Sequence, residues 1–123
     1  MAKPLTITIP WPAKQLDSNK RYHWRAKLKP KKEARQRAWA ECVRQPGHAM
    51  RLVSVRVDVV AYHKTRNFRD RQNIISILKH SIDGIQDAEV IVDDSELSWG
   101  PVRREKDASN PRIEITLTPV GQE

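Results

Sequence analysis

The chain has a single cysteine, four glycines and no long apolar run. With Cys42 alone, no disulfide can close within the chain and no thiolate zinc site can assemble in it. That usage fits a reducing, intracellular compartment. The scattered glycines cannot make a glycine-rich phosphate loop. No stretch approaches the ~20 apolar residues of a membrane span. The opening MAKPLTITIP also lacks the apolar core of a secretory signal. A cytoplasmic location with no membrane partner is the expectation. His48, His63 and His80 show no metal-ligand spacing with one another, so no zinc site is expected.

What is abundant is positive charge. The formal net charge is +8 over 123 residues and the sequence pI is near 10.0. The cations lie in runs, Lys27 to Lys32 and His63 to Arg71, which favours a polyanionic partner such as nucleic acid over an acidic small molecule. A hydrophobic content of 38% supports one modest core, so residues 1–123 read as one domain.

Leu5, Ile7 and Ile9 alternate with threonines until Pro10 and Pro12, which predicts a first strand. Lys14 to Pro30 is polar, basic and without period, and reads as a loop. Ala34, Ala38, Trp39, Cys42 and Val43 recur at helical spacing between Lys31 and Arg44, giving a first helix ended by Pro46 and Gly47. Val53, Val55, Val57 and Val59 predict a second strand with its valines inward. A second helix is expected from Arg71 to Ile85, capped by Asp70 and burying Ile74, Ile77, Leu78, Ile82 and Ile85. Strands follow at Leu97 to Arg103 and Arg112 to Thr118, with a further short one at Val90 to Val92. The expected class is α+β, in the order β-α-β-α-β-β, with two helices packed on one face of a mixed sheet.

Against this basic background the carboxylates need a reason. Asp70 stands among Arg66, Arg69 and Arg71, and Asp93 and Asp94 close the segment after the second helix. A nuclease needs cations to hold phosphates and a few carboxylates to hold the divalent metal that activates water. Mg²⁺ usually takes one or two protein carboxylates, and Asp70 and Asp94 can supply them. Lys79 is placed to hold the scissile phosphate or stabilise its developing charge. Gln72, Ser76, Lys79 and Asp83 share one side of the predicted helix. The same pattern is also what an ordinary solvated face looks like, with Lys79 and Asp83 as a helical ion pair. Asp70 is equally suited to an N-cap, and Asp93–Asp94 to a turn. His23 and Trp24 can stack on an unpaired base, or Trp24 can pack in the core.

Arg69-Asp70-x-x-Asn73, Lys79, Ile82-Asp83-Gly84 and Val92-Asp93-Asp94-Ser95 together resemble the RusA family of Holliday-junction resolvases, particularly its phage and prophage members. The leading segment is similar too, with Pro10-Trp11-Pro12, then Ser18, Asn19, Arg21, Tyr22, His23 and Trp24 ahead of a basic helix. The resemblance implies a homodimeric, Mg²⁺-dependent endonuclease that makes paired nicks in four-way DNA junctions during recombination and repair, with Mn²⁺ as the alternative ion. It implies catalytic roles for Asp70, Asp94 and Lys79, with Asp70 and Asp94 as metal ligands, and places Asn73 on the family's asparagine. Gln72 falls on a family aspartate, so a junction-binding protein impaired in cleavage is the alternative. Without a gap, Ser76 rather than Lys79 takes the family's lysine position. Arg21, His23, Trp24, Lys27, Lys29, Lys31, Lys32, Arg66, Arg69 and Arg71 are the expected DNA contacts. A basic RNA- or ribosome-associated domain is a third reading, opposed by Asp70 and the acidic pair.

Overall fold

A computed structural model describes residues 3–17 and 21–121. Ser18 and Asn19, which contribute to the resemblance, lie outside the described residues. Four strands form one mixed sheet: β1 (Leu5–Ile9), β2 (Val55–His63), β3 (Leu97–Lys106) and β4 (Arg112–Pro119), in the order β1-β4-β2-β3. β4 is antiparallel to both β1 and β2, whereas β2 and β3 are parallel. The helices are α1 (Trp24–Val43), α2 (Arg71–Ile77) and α3 (Lys79–Asp87), and a short 3₁₀ turn spans Lys14–Leu16. The expected α+β class and single mixed sheet are therefore observed. Among the described residues, no helix is long and apolar enough to cross a membrane.

Alternation builds the core. Leu5, Ile7, Ile9, Val55, Val57, Val59, Ala61, Ile113, Ile115 and Leu117 are all buried on the inner face. Their chain neighbours Thr6, Thr8 and Arg56 face out, with Thr6 and Thr116 joined through their hydroxyls at 2.9 Å. Burial of each of these valines, leucines and isoleucines contributes about 1.5–3 kcal/mol relative to exposure. Pro101 interrupts β3 where its register with β2 shifts between Val57 and Val59, a place where a missing ladder N–H is tolerated.

Several boundaries differ from the sequence expectation. The last part of the loop expected over Lys14 to Pro30 is helix, because α1 starts at Trp24 and not Lys31. His23 caps it, its Nδ1 accepting the Arg25 amide at 3.2 Å. Pro30 lies inside the helix and the first turns bury nothing large, so neither apolar period nor proline placement revealed them. Trp39 is exposed rather than buried, and only Ala38 and Cys42 of α1 are fully enclosed. Burial pushes the Cys42 thiol up to about 12, so it stays protonated. β2 begins after Val53, which is 55% exposed, and runs on to His63. The single second helix is two, meeting at Leu78, whose amide is shared between the Ile74 and Ile75 carbonyls at 3.2 Å each. Its expected apolar stripe is buried throughout. Val90 to Val92 is not a sheet strand; it makes one isolated parallel bridge, Leu52 to Ile91.

α1 and α3 cross closely at Gly84. A Cβ there would collide with the Arg35 carbonyl and approach the Ala38 Cβ to 3.1 Å. Backbone cannot yield as a flexible side chain can, so Gly84→Ala should destabilise the fold by about 1–3 kcal/mol. Urea unfolding monitored by circular dichroism checks this; Gly47→Ser, which meets no tertiary neighbour, gives a comparison in which only the local backbone at φ +71° is strained.

Candidate functional site

The crossover from β2 to β3 carries most of the chemistry. Asp70 caps α2, its Oδ1 accepting the Asn73 amide at 2.7 Å. Behind that cap lies a buried polar knot. The Asn73 side chain donates to Asp17 Oδ1 at 2.7 Å and accepts from Arg69 Nη1 at 2.9 Å, while Arg69 also donates to Asp17 Oδ2. Asp17 and Asn73 are only 3% and 5% exposed, which identifies the three as a structural unit. Arg69, expected as a DNA contact, commits Nη1 to this unit while its side chain stays about a third exposed; Arg66 near it is exposed. Asp17 had no signal in sequence, since nothing local links it to residues more than fifty positions away.

His63 belongs to the same region and is buried at the end of β2 rather than lying in a basic loop. Its Nδ1 lies 3.1 Å from the Ala61 carbonyl and its Nε2 accepts the Arg69 amide at 3.1 Å, an arrangement that suits the neutral ring with its proton on Nδ1. Trp11 and Phe68 flank it, with centroids at 4.8 and 4.7 Å. Trp11 is fixed in turn by an indole bond to the Tyr62 carbonyl at 2.8 Å. Burial is the main cause that holds the His63 pKa below its ordinary 6.5, against the opposing pull of the Glu105 and Ala61 backbone.

Farther along the crossover come Ser76, Lys79 and Asp94. They line one cavity of about 250 Å³, walled by Ile75 and Ile82 of the helices and by Leu97 and Trp99 of β3. Gln72 is exposed one turn before Ser76. Asp93 and Asp94 have different surroundings. Asp93 accepts both the amide and the hydroxyl of Ser95, which form a turn and hold its carboxyl below the usual range. Asp94 faces the cavity. Asp83 lies 3.7 Å from His80, in place of the expected pair with Lys79. Burial, then the nearby Lys31, depress the His80 pKa. Arg71 reaches the Gly100 carbonyl at 3.4 Å, which sets the start of α2 beside β3.

The expected DNA contacts occupy two areas. Arg21, His23, Trp24, Lys29 and Lys32 are exposed before and along α1, with Lys27 and Lys31 half-buried. Arg66 and Arg71 are exposed near the start of α2. Among the described residues, no group of three or more His, Cys, Asp or Glu side chains gathers in metal-binding array. Asp70 and Gln72 are not among the residues that line the Asp94 cavity; each of the three offers a hard oxygen, the chemistry that Mg²⁺ takes, but from separate positions along the crossover.

No family model matches the chain. A Xylella fastidiosa protein described only as an uncharacterized protein is 31% identical over 121 residues, covering 96% of this chain and 78% of its own length. The chain belongs to that protein's family. The match extends across the polar knot and the cavity alike, so both lie within the region of likeness.

Two outcomes follow for stability. Asp17→Ala removes one partner of a buried ion pair and strands the Asn73 amide, and should cost about 3 kcal/mol in denaturant unfolding. His63 is neutral in the fold and takes up a proton more readily when unfolded. Its share of stability is therefore complete above its ordinary value of 6.5 and is lost as pH falls from there through the lower folded value. Unfolding free energy measured from about pH 7 to about pH 5 should decline, and His63→Gln should flatten the decline without abolishing the part due to His80.

Proposed function

We propose that the protein is a homodimeric, Mg²⁺-dependent endonuclease of the RusA type, acting on four-way DNA junctions in the cytoplasm. The observation that carries this reading is the cavity lined by Lys79, Ser76 and Asp94, on the same crossover that Asp70 opens. Asp70 and Asp94 would hold the ion, and Gln72 would offer a neutral amide oxygen where the resembled family has a carboxylate. When bound, Mg²⁺ supplies a water of lowered pKa and polarises a phosphoryl oxygen, with Mn²⁺ as the alternative ion.

The chain's own groups supply the rest. Lys79 neutralises charge that builds on the phosphate oxygens, and Ser76 lies in the same cavity to accept or donate a hydrogen bond. Arg66 and Arg71 attract the backbone from outside. Arg69 and Asn73 act as positioning residues, because their bonds to Asp17 fix the start of α2 and with it the Asp70 carboxylate. Two symmetric nicks need two such sites, and an isologous dimer provides both from one surface.

A second reading, junction binding with impaired cleavage, is favoured by Gln72 and by the use of one Asp70 oxygen as a helix cap. A labelled synthetic junction incubated with Mg²⁺, beside an EDTA control, separates the two. Cleavage is expected, slow at low Mg²⁺. Asp94→Asn and Asp70→Asn should abolish it while leaving junction binding intact or tighter, Asn being an equally good cap. Lys79→Ala should slow it by about 100-fold or more, and Gln72→Asp should raise it by improving metal occupancy. An inactive wild type that Gln72→Asp awakens supports the second reading; equal cutting by Asp70→Asn and wild type refutes the metal assignment.

A further inference from the structure

Most of the chain's excess charge sits on one helix. α1 carries seven Lys or Arg against two Glu, a net charge of +5 out of the chain's +8. Its solvent side is also aromatic. Trp24, Leu28 and Trp39 are 59%, 54% and 45% exposed, although burial of each would be favourable. At 3.6 residues per turn, Trp24, Leu28, Lys32, Arg35 and Trp39 share an arc of about 80°, and about 22 Å of helix separates the two indoles.

Each end of this stripe is prepared for a flat partner. At the start, the His23 ring lies 5.6 Å from Trp24 and the Arg25 guanidinium 5.2 Å from the Trp24 centroid. At the other end, Trp39 borders a shallow hollow shared with Lys32, Arg35 and Asp87. Asp87 binds Arg35 through two hydrogen bonds, which orients the guanidinium and matches its charge. Lys32 then carries the surplus charge of the hollow.

We propose that this stripe binds single-stranded nucleic acid, with bases stacking on Trp24 and Trp39 and phosphates meeting the lysines between them. Three occupants compete for a basic, aromatic helix face. A second copy of the chain would set one +5 helix against another, which charge repulsion opposes. An anionic membrane favours helices that segregate apolar from basic residues, whereas here Lys32 and Arg35 lie within the same arc as the indoles. A single strand presents alternating negative charge and exposed ring faces, the pattern that the stripe complements. The stripe lies on α1, outside the Lys79–Asp94 cavity. The inference rests on the nucleic-acid part of the proposed function and not on cleavage.

The test uses the full chain in EDTA, with an oligothymidylate of about 12 nucleotides, long enough at about 3.4 Å per nucleotide to pass both rings. A duplex of the same length is the control. Trp24→Ala and Trp39→Ala should each weaken single-strand binding about tenfold and duplex binding less than twofold, while Trp39→Phe retains most of the affinity. Wild type that fails to bind the oligothymidylate overturns the inference, as do variants that bind it unchanged or lose duplex equally. So does a variant that converts dimer to monomer in sedimentation, or that loses binding to phosphatidylserine vesicles in place of DNA. Junction cleavage with no tryptophan effect overturns this inference alone. Tryptophan-dependent strand binding without cleavage leaves it standing and refutes the nuclease.

Discussion

Parallel pairing of β2 with β3 is the constraint on which the rest of the molecule depends. Two neighbouring parallel strands cannot be joined by a hairpin, so the chain must travel back over the sheet before the second strand begins. α2 and α3 are that return path. Their apolar stripe covers the sheet, and their opposite side is left to carry Gln72, Ser76 and Lys79. The return also brings the chain to Asp94 just before β3 starts, which is why residues fifteen apart in sequence share one cavity.

The start of the crossover is held by polar rather than apolar contacts. Asp17, Arg69 and Asn73 satisfy one another, and His63 receives the Arg69 amide. A buried network of this type contributes little net stability compared with an apolar core, yet it admits few alternative arrangements. It fixes the direction in which α2 leaves the sheet. Trp11, from the Pro-Trp-Pro turn after β1, completes the arrangement by packing on His63 and lying under Arg69. Segments far apart in sequence thereby fix the position of a single helix end.

Sequence showed those parts of the fold in which burial has a period. β1, β2, β4 and the α2–α3 stripe alternate or repeat cleanly, and each was found near its place. α1 extends beyond its apolar period because its first turns project into solvent and contain Pro30. His63 lies next to the basic Lys64 and Arg66 in sequence, yet strand alternation from Val55 carries it inward. The site was legible where residues are local to the crossover: the Asp70 cap, and Lys79 with Asp94. It was not legible where partners are remote, as with Asp17, or where two adjacent carboxylates take different surroundings, as with Asp93 and Asp94.

The interruption at Pro101 bears on how copies of this chain can meet. β3 is an outer strand of the sheet, and an outer strand offers unpaired amides to any other strand that approaches. Here the proline withholds one amide, the register shift twists the ladder, and Arg103, Arg104, Glu105 and Lys106 load the strand with charge. β1, the opposite margin, is only five residues long and is bracketed by Pro4 and Pro10. Both margins therefore resist extension of the sheet from one molecule into the next. Fibrous association through a shared β-ladder is thereby discouraged, and side-chain surfaces are left as the favoured ground for contact between copies.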